Sequence, residues 1–426
     1  MTHNDPNSKP QSSSAYTSDI DTDVAIVGAG LIGGTLACAL ARHGVRTTVV
    51  DRLKLSDTVA STFDGRASAI ALSSQRLLGA IGIWEHLATK TAPIREIRVS
   101  EGRSLLFLHF DHAEVGDKPL GFMAENRHIR MAIEKQMHAT GKNLSVVAPA
   151  SVIAAESTPT HGVLSLDDGR RIRAQLVVSA EGRGSKLREW TGIKTTGWTY
   201  PQVGIVATIA HERPHKNIAH EHFLPAGPFA ILPLPDDHGV HRSSLVWTER
   251  SDAASAYLAL SDDAFLMEVS ERVGGFLGSL GLVGPRFCHP LGLQFAENYA
   301  AGRILLAGDA AHAIHPIAGQ GLNLGFRDVA ALTEIIVDAK RLGLDMAHPE
   351  GITKYERWRR SDNLLMATVT DALNRLFSND IAPIRMSRDV GLAMVNRVPP
   401  LKRLFMRQAM GVTGQLPRLM RGQPLT

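Results

Sequence analysis

The segment DVAIVGAGLIGGTLACALARHGVRTTVVDR, residues 23–52, decides the fold class. Its apolar run Val24 to Val27 predicts a buried strand, and small and apolar residues then recur at helical spacing up to Gly44. A second apolar run, Thr47 to Val50, ends at Asp51. Strand, glycine turn, helix and strand in this order predict the opening βαβ unit of a parallel sheet.

The turn in this unit contains Gly28, Gly30 and Gly33 in the pattern GxGxxG. Glycines at these positions permit a tight turn, close approach of the backbone to a pyrophosphate, and close packing of helix on strand. The helix N-terminus stabilises phosphate charge. Asp51 is placed to bind a ribose diol, and we count the adjacent Arg52 as cofactor-binding. An ordinary glycine turn is the alternative, but the strand, helix and acid in register favour dinucleotide binding.

Composition limits the class of protein. With 426 residues, 44% hydrophobic and 21% charged, the chain can bury a large core in two or three domains. A net charge of +4 is too small to indicate a nucleic-acid partner, and we expect none. Cys38 and Cys288 stand far apart, which excludes a disulfide framework and a CxxC motif and favours the cytoplasm. The polar, Ser-rich residues 1–21 predict a disordered lead without a secretory signal.

The rest of the chain predicts an α/β fold in which a Rossmann-like domain is assembled from discontinuous segments. Alternating runs predict an inserted antiparallel-sheet substrate domain, residues 125–139 predict a helix, and GRILLAGD followed by residues 320–341 predicts a strand and a helix of the first domain. No apolar window is long enough to predict a membrane-spanning helix. The predicted division is a dinucleotide domain at 22–93, 121–196 and 286–345, a substrate domain at 94–120 and 197–285, and a C-terminal helical region at 346–426.

Three segments together carry a family resemblance: GAGLIG with Asp51, SAEGRGSKLR at 179–188, and LLAGDAAHAIHPIAGQGLNLGFRD at 305–328. They resemble the single-component FAD-dependent aromatic monooxygenases of the para-hydroxybenzoate hydroxylase fold. Within these, HPIAGQGLNLGFRD at 315–328 is very similar to the motif of the ubiquinone-biosynthesis hydroxylases. The resemblance extends from about residue 22 to 421 and implies that the dinucleotide is FAD.

The resemblance assigns residues to the flavin. Gly308 and Asp309 would bring a carboxylate to the ribityl hydroxyls, although an N-cap or turn residue is the alternative for an isolated Asp309. Amides and the positive end of a helix dipole near the flavin stabilise the anionic reduced ring, and glycines permit the close approach. The residues implied beside the ring are Pro316, Gly319, Gln320, Gly321 and Asn323.

Two arginines and two histidines need separate interpretation. Arg66, in DGRASAIALS, resembles the family's arginine near the flavin and its phosphates, and Arg127, in ENRHIR, matches the arginine that begins the helix under the cofactor. Solvated surface arginines are the alternative. His312 and His315 are conceivable metal ligands, but no cysteine or acid cluster stands at ligand spacing. We therefore expect no metal, and core or loop histidines.

The middle motif departs from the family pattern. Glu181 and Gly182 stand where the family usually has Asp-Gly, and Arg183 follows them. The extra methylene keeps the charge but moves the carboxylate. We still count Glu181 and Gly182 among the cofactor-binding residues.

The resemblance also implies the reaction and its partners. In the family, NAD(P)H reduces FAD, O₂ forms a C4a-hydroperoxide on the reduced flavin, and its distal oxygen attacks an electron-rich phenol ring. A polyprenylated phenol of ubiquinone biosynthesis is the implied substrate, and other proteins of that pathway are possible partners. Phe229 and Ile231, in FLPAGPFAILPL at 223–234, are the expected substrate contacts, and an ordinary sheet strand is the alternative.

The C-terminal segment 383–426 interleaves basic and apolar residues, with Asp389 as its one acid. This composition is typical of a helix on an anionic membrane surface or against a partner subunit, and a solvated helical face is the alternative. A substrate with a polyprenyl tail favours peripheral attachment to the inner face of the cytoplasmic membrane. Other functions left open are a non-catalytic FAD-binding scaffold subunit, a flavin hydroxylase of a small aromatic, and a flavin halogenase or prenyl reductase. The tryptophan motif of halogenases is absent.

Overall fold

The computed structural model describes residues 19–60, 65–101, 107–314, 319–377, 395 and 397–425. The strands are β1 (Ile20–Val27), β2 (Thr47–Val50), β3 (Ala67–Ala71), β4 (Thr91–Ile94), β5 (Glu96–Glu101), β6 (Phe107–Asp111), β7 (Gly121–Glu125), β8 (Leu144–Val147), β9 (Val152–Ser157), β10 (Gly162–Leu166), β11 (Arg171–Ser179), β12 (Thr195–His211), β13 (Ile218–Leu224), β14 (Gly227–Asp237), β15 (Val240–Arg250), β16 (Leu280–Ala296), β17 (Ala300–Ala301), β18 (Ile304–Leu306) and β19 (His312–Ala313). The α-helices are α1 (Leu31–Arg42), α2 (Leu55–Ala60), α3 (Leu72–Ala80), α4 (Ile83–Leu87), α5 (Asn126–Ala139), α6 (Lys186–Trp190), α7 (Ser251–Ala259), α8 (Asp262–Val273), α9 (Gly321–Arg341), α10 (Pro349–Phe377) and α11 (Pro399–Ala409).

The first sheet has the order β17-β18-β11-β1-β2-β8, with β10 and β9 attached to β11. Strands β18, β11, β1, β2 and β8 run parallel. In its centre Val24, Ala25 and Ile26 are fully buried, as expected for a strand covered on both faces. The predicted βαβ unit is confirmed by β1, α1 and β2. Strand β1 begins at Ile20, inside the predicted lead, whose residues 1–18 lie outside the described residues.

The second sheet has the order β19-β16-β12-β15-β14-β13-β5-β6 and is antiparallel except for the pair β13 and β5. One face packs on α7 and α8 through a core that includes Phe229, Trp247 and Phe265. Strand β16 stays paired with β12 up to Ala296. The chain therefore leaves this sheet after Ala296, whereas we predicted the return to the first domain at residue 286. The apolar alternation of 286–296 fits either sheet, and only the pairing assigns it.

A small antiparallel sheet, β3-β7-β4, contacts β14 of the second sheet through β4 and β7 and contacts α9 through β3. Helix α9 confirms the helix predicted over 320–341 and is buried along most of its length, and α5 confirms the helix predicted over 125–139. Helices α10 and α11 follow in the C-terminal region, where Arg385 and Arg388 lie outside the described residues. Among the helices that the structure describes, none combines the length and the apolar character needed to cross a bilayer.

Candidate cofactor and substrate site

The glycine turn between β1 and α1 is built around backbone contacts that exclude side chains. A Cβ on Gly33 would lie 1.8 Å from the Gly28 carbonyl oxygen, and a Cβ on Gly28, whose φ is +101°, would lie 2.6 Å from the Ala180 oxygen. Gly30 is different, because a Cβ there would meet no atom of the described residues within 4 Å. Helix α1 has no side-chain N-cap. Open space at Gly30 and uncapped amides leave room for an anionic ligand at this helix N-terminus.

Asp51 lies directly against this turn. One carboxylate oxygen accepts a hydrogen bond from the Ala29 amide at 2.7 Å, and the other accepts one from the Leu53 amide at 2.9 Å. These bonds orient the carboxylate at the end of β2 beside the first turn of α1. Arg52, the next residue, is exposed.

The turn at Gly308 and Asp309 packs on the same helix. A Cβ on Gly308, whose φ is +61°, would lie 2.9 Å from Ile32 Cγ1, and a Cβ on Gly325 of α9 would lie 2.4 Å from Ile32 Cδ1. Ile32 of α1 therefore fills the space between the turn and α9. The structure thus brings together two motifs that are separated by some 280 positions in the sequence.

The Asp309 carboxyl is close enough to His312, Arg183 and Arg66 to be affected by their charge, and we call the space beside these residues and the Gly28 turn the cofactor cleft. The Asp309 side chain keeps exposed surface, yet the surrounding protein desolvates the group and raises its pKa, against the effect of nearby His312, Arg183 and Arg66. Arg66 is thus near Asp309, and its expected place beside the flavin and its phosphates stays a prediction. Arg183 was not among the predicted site residues, and its position in SAEGRGSKLR was the available signal.

The loop 179–188 is joined to the Asp309 turn by Arg188. This buried side chain donates to the Ala310 carbonyl at 2.9 Å and to the Arg183 carbonyl at 2.7 Å. The structure therefore assembles all three sequence motifs around one cleft.

Glu181 has a largely structural role in this loop. Its Oε2 accepts hydrogen bonds from Ser179 Oγ at 3.0 Å, Ser185 Oγ at 2.8 Å and the Leu187 amide at 3.1 Å. Gly182 has φ +84°, and none of the residues that the structure describes comes within 4 Å of an added Cβ. The longer acid thus turns back onto its own loop, and Gly182 leaves open space beside it.

His312 belongs to a fully buried ionic network beneath the turn. Its Nε2 lies 2.6 Å from an oxygen of Asp328, and Arg359 Nε donates to the other oxygen at 2.7 Å. The amide of Gly308 donates to Asp328 at 2.9 Å. His312 therefore acts as a packed core residue that helps to fix the turn.

The N-terminus of α9 follows a segment outside the described residues, 315–318, which contains His315 and the predicted flavin neighbour Pro316. Gly319 has φ +59°, and an added Cβ would lie 3.1 Å from Ala69 Cβ of β3. Gln320 is the N-cap residue, Gly321 begins the helix, and no side chain among the described residues caps it. This second helix N-terminus lies beside β3.

Asn323 fastens α9 to β3 and α3. Its Oδ1 accepts from the Ala71 amide at 2.9 Å and from Ser74 Oγ at 2.8 Å, while its Nδ2 donates to the Ala69 carbonyl at 2.9 Å. The side chain is thus occupied by protein contacts, and it contributes to the site by fixing the backbone of α9.

Arg127 lies in the first turn of α5 and is paired with an acid. Its Nη2 lies 3.1 Å from both oxygens of Glu125, a buried residue that Arg242 of β15 also approaches at 3.7 Å. Arg127 therefore forms part of an ion-pair group that joins α5 to the second sheet.

The expected substrate contacts Phe229 and Ile231 are not at the cleft. Their exposed fractions are 0% and 1%, and both pack with Trp247 and Phe265 on the face covered by α7 and α8. Leu232, on the opposite face of β14, packs with Ala69. The alternation along β14 was predicted correctly, but alternation does not determine which face of the sheet is turned toward the cofactor.

One group of possible metal ligands, Glu96, His109 and Asp111, lies at the pair β5 and β6 in the part of the chain that the structure describes. Glu96 is already bound by Arg98 at 2.9 Å and His109 at 3.0 Å. Local ion pairing accounts for this group.

The site fits FAD. Two helix N-termini without side-chain caps, α1 and α9, lie near each other through Ile32, and the space at Gly30 is open. Asp51 and Asp309 add carboxylates of the kind that bind sugar hydroxyls, while Arg66 and Arg183 add positive charge near Asp309.

Comparisons with known proteins agree with this geometry. A family model described as FAD binding domain matches residues 21–362. The chain is 50% identical to a ubiquinone hydroxylase, UbiL, of Rhodospirillum rubrum, over 98% of this chain and 97% of that protein. It is 35% identical to the 3-demethoxyubiquinol 3-hydroxylase of Escherichia coli, over 92% and 99%. The solved structure of p-nitrophenol 4-monooxygenase from Pseudomonas putida superposes with a TM-score of 0.77 at 19% identity, over 93% and 100%, which shows the fold. The resemblance and the fold class predicted from the sequence are confirmed.

Proposed function

Because the chain belongs to the FAD-binding domain family of flavin-dependent monooxygenases, we propose that it hydroxylates the aromatic ring of a polyprenylated phenol in ubiquinone biosynthesis, using NAD(P)H and O₂. The observation that carries the proposal is the convergence of the Gly28 turn, the Asp309 turn and the α9 N-terminus on one cleft. The 50% identity over nearly the whole length to a ubiquinone hydroxylase supports the substrate class.

The chain's residues have separate tasks in this function. Bound FAD supplies the hydride acceptor and the activation of O₂. The amides of α1 bind the pyrophosphate, Asp51 the ribose and Asp309 the ribityl hydroxyls. The positive end of the α9 dipole stabilises negative charge on the ring. The second sheet covers the cleft and excludes water from the reacting ring.

A peripheral membrane position follows from the chemistry of a polyprenyl tail and from the faces of α11. Lys402 and Met406 are buried, and Met406 packs in the cluster that includes Ala69 and Leu232. Leu404 and Phe405 are exposed by 56% and 45%, next to the exposed Arg403. A face with apolar and basic residues suits the surface of an anionic membrane. This helix would bring the bilayer close to the substrate face of the sheet.

Two measurements test the proposal. Purified protein has a flavin absorption spectrum, and Asp309→Ala largely loses it, whereas the control Glu156→Ala, at an exposed position of β9, retains it. Oxygen uptake with NAD(P)H that is stimulated by a prenylated phenol, with the hydroxylated product identified by mass spectrometry, supports the enzyme. Yellow protein without turnover of any prenylated phenol would favour the scaffold function, and turnover of small phenols alone would favour a hydroxylase of small aromatics.

A further inference from the structure

Glu221 of β13 lies on the face of the second sheet that looks toward the cofactor cleft. It is opposite Ala230 of β14 and Val99 of β5 in the strand register. Directly opposite residues of a sheet share a face, as do residues two positions apart along a strand. Ala219 and Leu232, which share this face, pack with Ala69 of β3. The carbonyl of the same Ala69 accepts a hydrogen bond from Asn323 of α9. The face that carries Glu221 is therefore turned toward the N-terminal end of α9, where the flavin ring is expected.

Glu221 stands in an apolar row of the sheet. From β5 to β12 the side chains opposite one another in this row are Val99, Glu221, Ala230, Val246 and Val206. Glu221 has no hydrogen bond or ion pair with any of the described residues, and it is only partly exposed. A carboxylate in such surroundings costs free energy that a bound polar group would recover.

The neighbouring polar residues do not relieve this cost. His220 and His222 alternate to the opposite face, where their strand partners are Ile231 and Phe229. Strand β13 is paired on both sides, so the accessible part of Glu221 opens to the space above the sheet. Glu101 on β5, opposite Phe223, is the other acid of this face near Glu221.

From this placement we propose that Glu221 binds the phenolic hydroxyl of the aromatic substrate and accepts its proton. The inference deepens the proposed function and rests on it. In this step the phenol O–H bond breaks, the proton moves to a carboxylate oxygen of Glu221, and the electron pair stays on the phenolate oxygen. A phenolate is more electron-rich than a phenol, so its ring reacts faster with an electrophilic oxygen.

The acidity of Glu221 suits this task. Burial raises the pKa of this carboxyl to about 7, and no charged neighbour contributes to the shift. A base whose pKa is near the working pH combines a useful deprotonated fraction with adequate basicity. A glutamate with an ordinary pKa would be a much weaker base toward a phenol.

The test compares Glu221→Gln, Glu221→Asp and the control Glu156→Gln, which makes the same change on an exposed residue of β9. The ligand probe is a 4-nitrophenol carrying a prenyl substituent, because its phenol and phenolate forms absorb at different wavelengths. Bound to wild type and to Glu156→Gln at pH 7, the probe shows phenolate absorption. Bound to Glu221→Gln it shows the neutral phenol, since the site has lost its proton acceptor.

Turnover gives a second readout. With a prenylated phenol substrate, kcat/KM of Glu221→Gln falls on the order of 100-fold, and Glu221→Asp recovers part of it. Flavin absorption stays at the wild-type level in all variants. If wild type oxidises the prenylated phenol but Glu221→Gln matches Glu156→Gln in turnover and probe spectrum, the role of Glu221 is refuted and the proposed function stands. If yellow wild type turns over no prenylated phenol, the proposed function itself fails.

Discussion

The carboxylate of Asp328 on α9 lies 2.6 Å from His312 Nε2 and accepts a hydrogen bond from the Gly308 amide at 2.9 Å. A fully buried acid thus holds both ends of the turn that presents Asp309. Arg359 of α10 binds its second oxygen at 2.7 Å. A charge buried in this way is tolerated because each oxygen has a charged or hydrogen-bonded partner. The turn, α9 and α10 are therefore coupled through one side chain.

Asp328→Asn should destabilise the protein strongly. The neutral amide leaves the buried Arg359 without its full counter-charge and presents an NH₂ group to existing donors, a loss of about 3–5 kcal/mol in the free energy of unfolding. Urea denaturation measures it. The control is Asp338→Asn on the same helix, whose partner Arg418 is near the surface, with an expected loss below about 1 kcal/mol. Equal losses in the two variants would contradict the role of the network.

The depressed pKa of Asp328 also predicts that the protein loses stability at low pH. Burial alone would raise the pKa of Asp328, but His312 and Arg359 outweigh it, and the pKa lies below its usual value. A carboxyl with a depressed folded-state pKa contributes stability above its unfolded pKa, near 3.8, and loses it as pH falls toward the folded value. The loss of stability below about pH 4 should therefore be less steep in Asp328→Asn than in wild type. An unchanged slope in thermal melts would contradict this assignment.

Three glycine substitutions should separate folding from cofactor binding. Gly33→Ala places a methyl against the Gly28 carbonyl and should lower both stability and FAD retention. In the part of the chain that the structure describes, Gly30→Ala meets no atom within 4 Å, so the apoprotein should keep its stability while FAD affinity falls at least about tenfold. Gly79→Ala on α3 is the control for both substitutions, because a Cβ there has no described atom within 4 Å. Apoprotein melting and FAD titration measure these effects, and unaltered FAD affinity in Gly30→Ala would argue against a pyrophosphate at this turn.

Phe229 should matter for stability instead of substrate affinity. Phe229→Ala removes a ring from the core under α8 and should cost about 3–5 kcal/mol. The exposed Phe107 of β6 provides the control, and Phe107→Ala should change stability little. A large increase in KM for the phenol at full stability would restore Phe229 as a substrate contact.

The outer face of α11 should determine membrane binding. Replacing Leu404 and Phe405 together by serine removes the exposed apolar pair and should weaken binding to vesicles that contain anionic phospholipid, measured by flotation at low and high salt. The control is Leu344→Ser, an equally exposed leucine after α9. Wild type that does not float on such vesicles under either condition would refute the membrane position.

The sequence predicts most reliably those structural features that neighbouring residues determine. The turn at Gly28, the bounds of β2 and α9, and the family all follow from short segments, because local backbone geometry and apolar spacing are encoded locally. The surroundings of Phe229 and of Glu181 could not be predicted in this way. Strand alternation defines two faces without saying which one meets the cofactor, and a carboxylate's partners depend on how its loop folds back.

The sequence by itself determined that this chain has a parallel-sheet dinucleotide-binding domain and belongs among flavin-dependent monooxygenases. Only the tertiary structure decided that His312 is a packed member of the Asp328 network, that Arg183 is close enough to Asp309 to lower its pKa, and that Glu221 lies in an apolar row of the second sheet. The physical reason is that burial and charge pairing are sums over residues distant in the chain. Their values exist only once the strands and helices have packed.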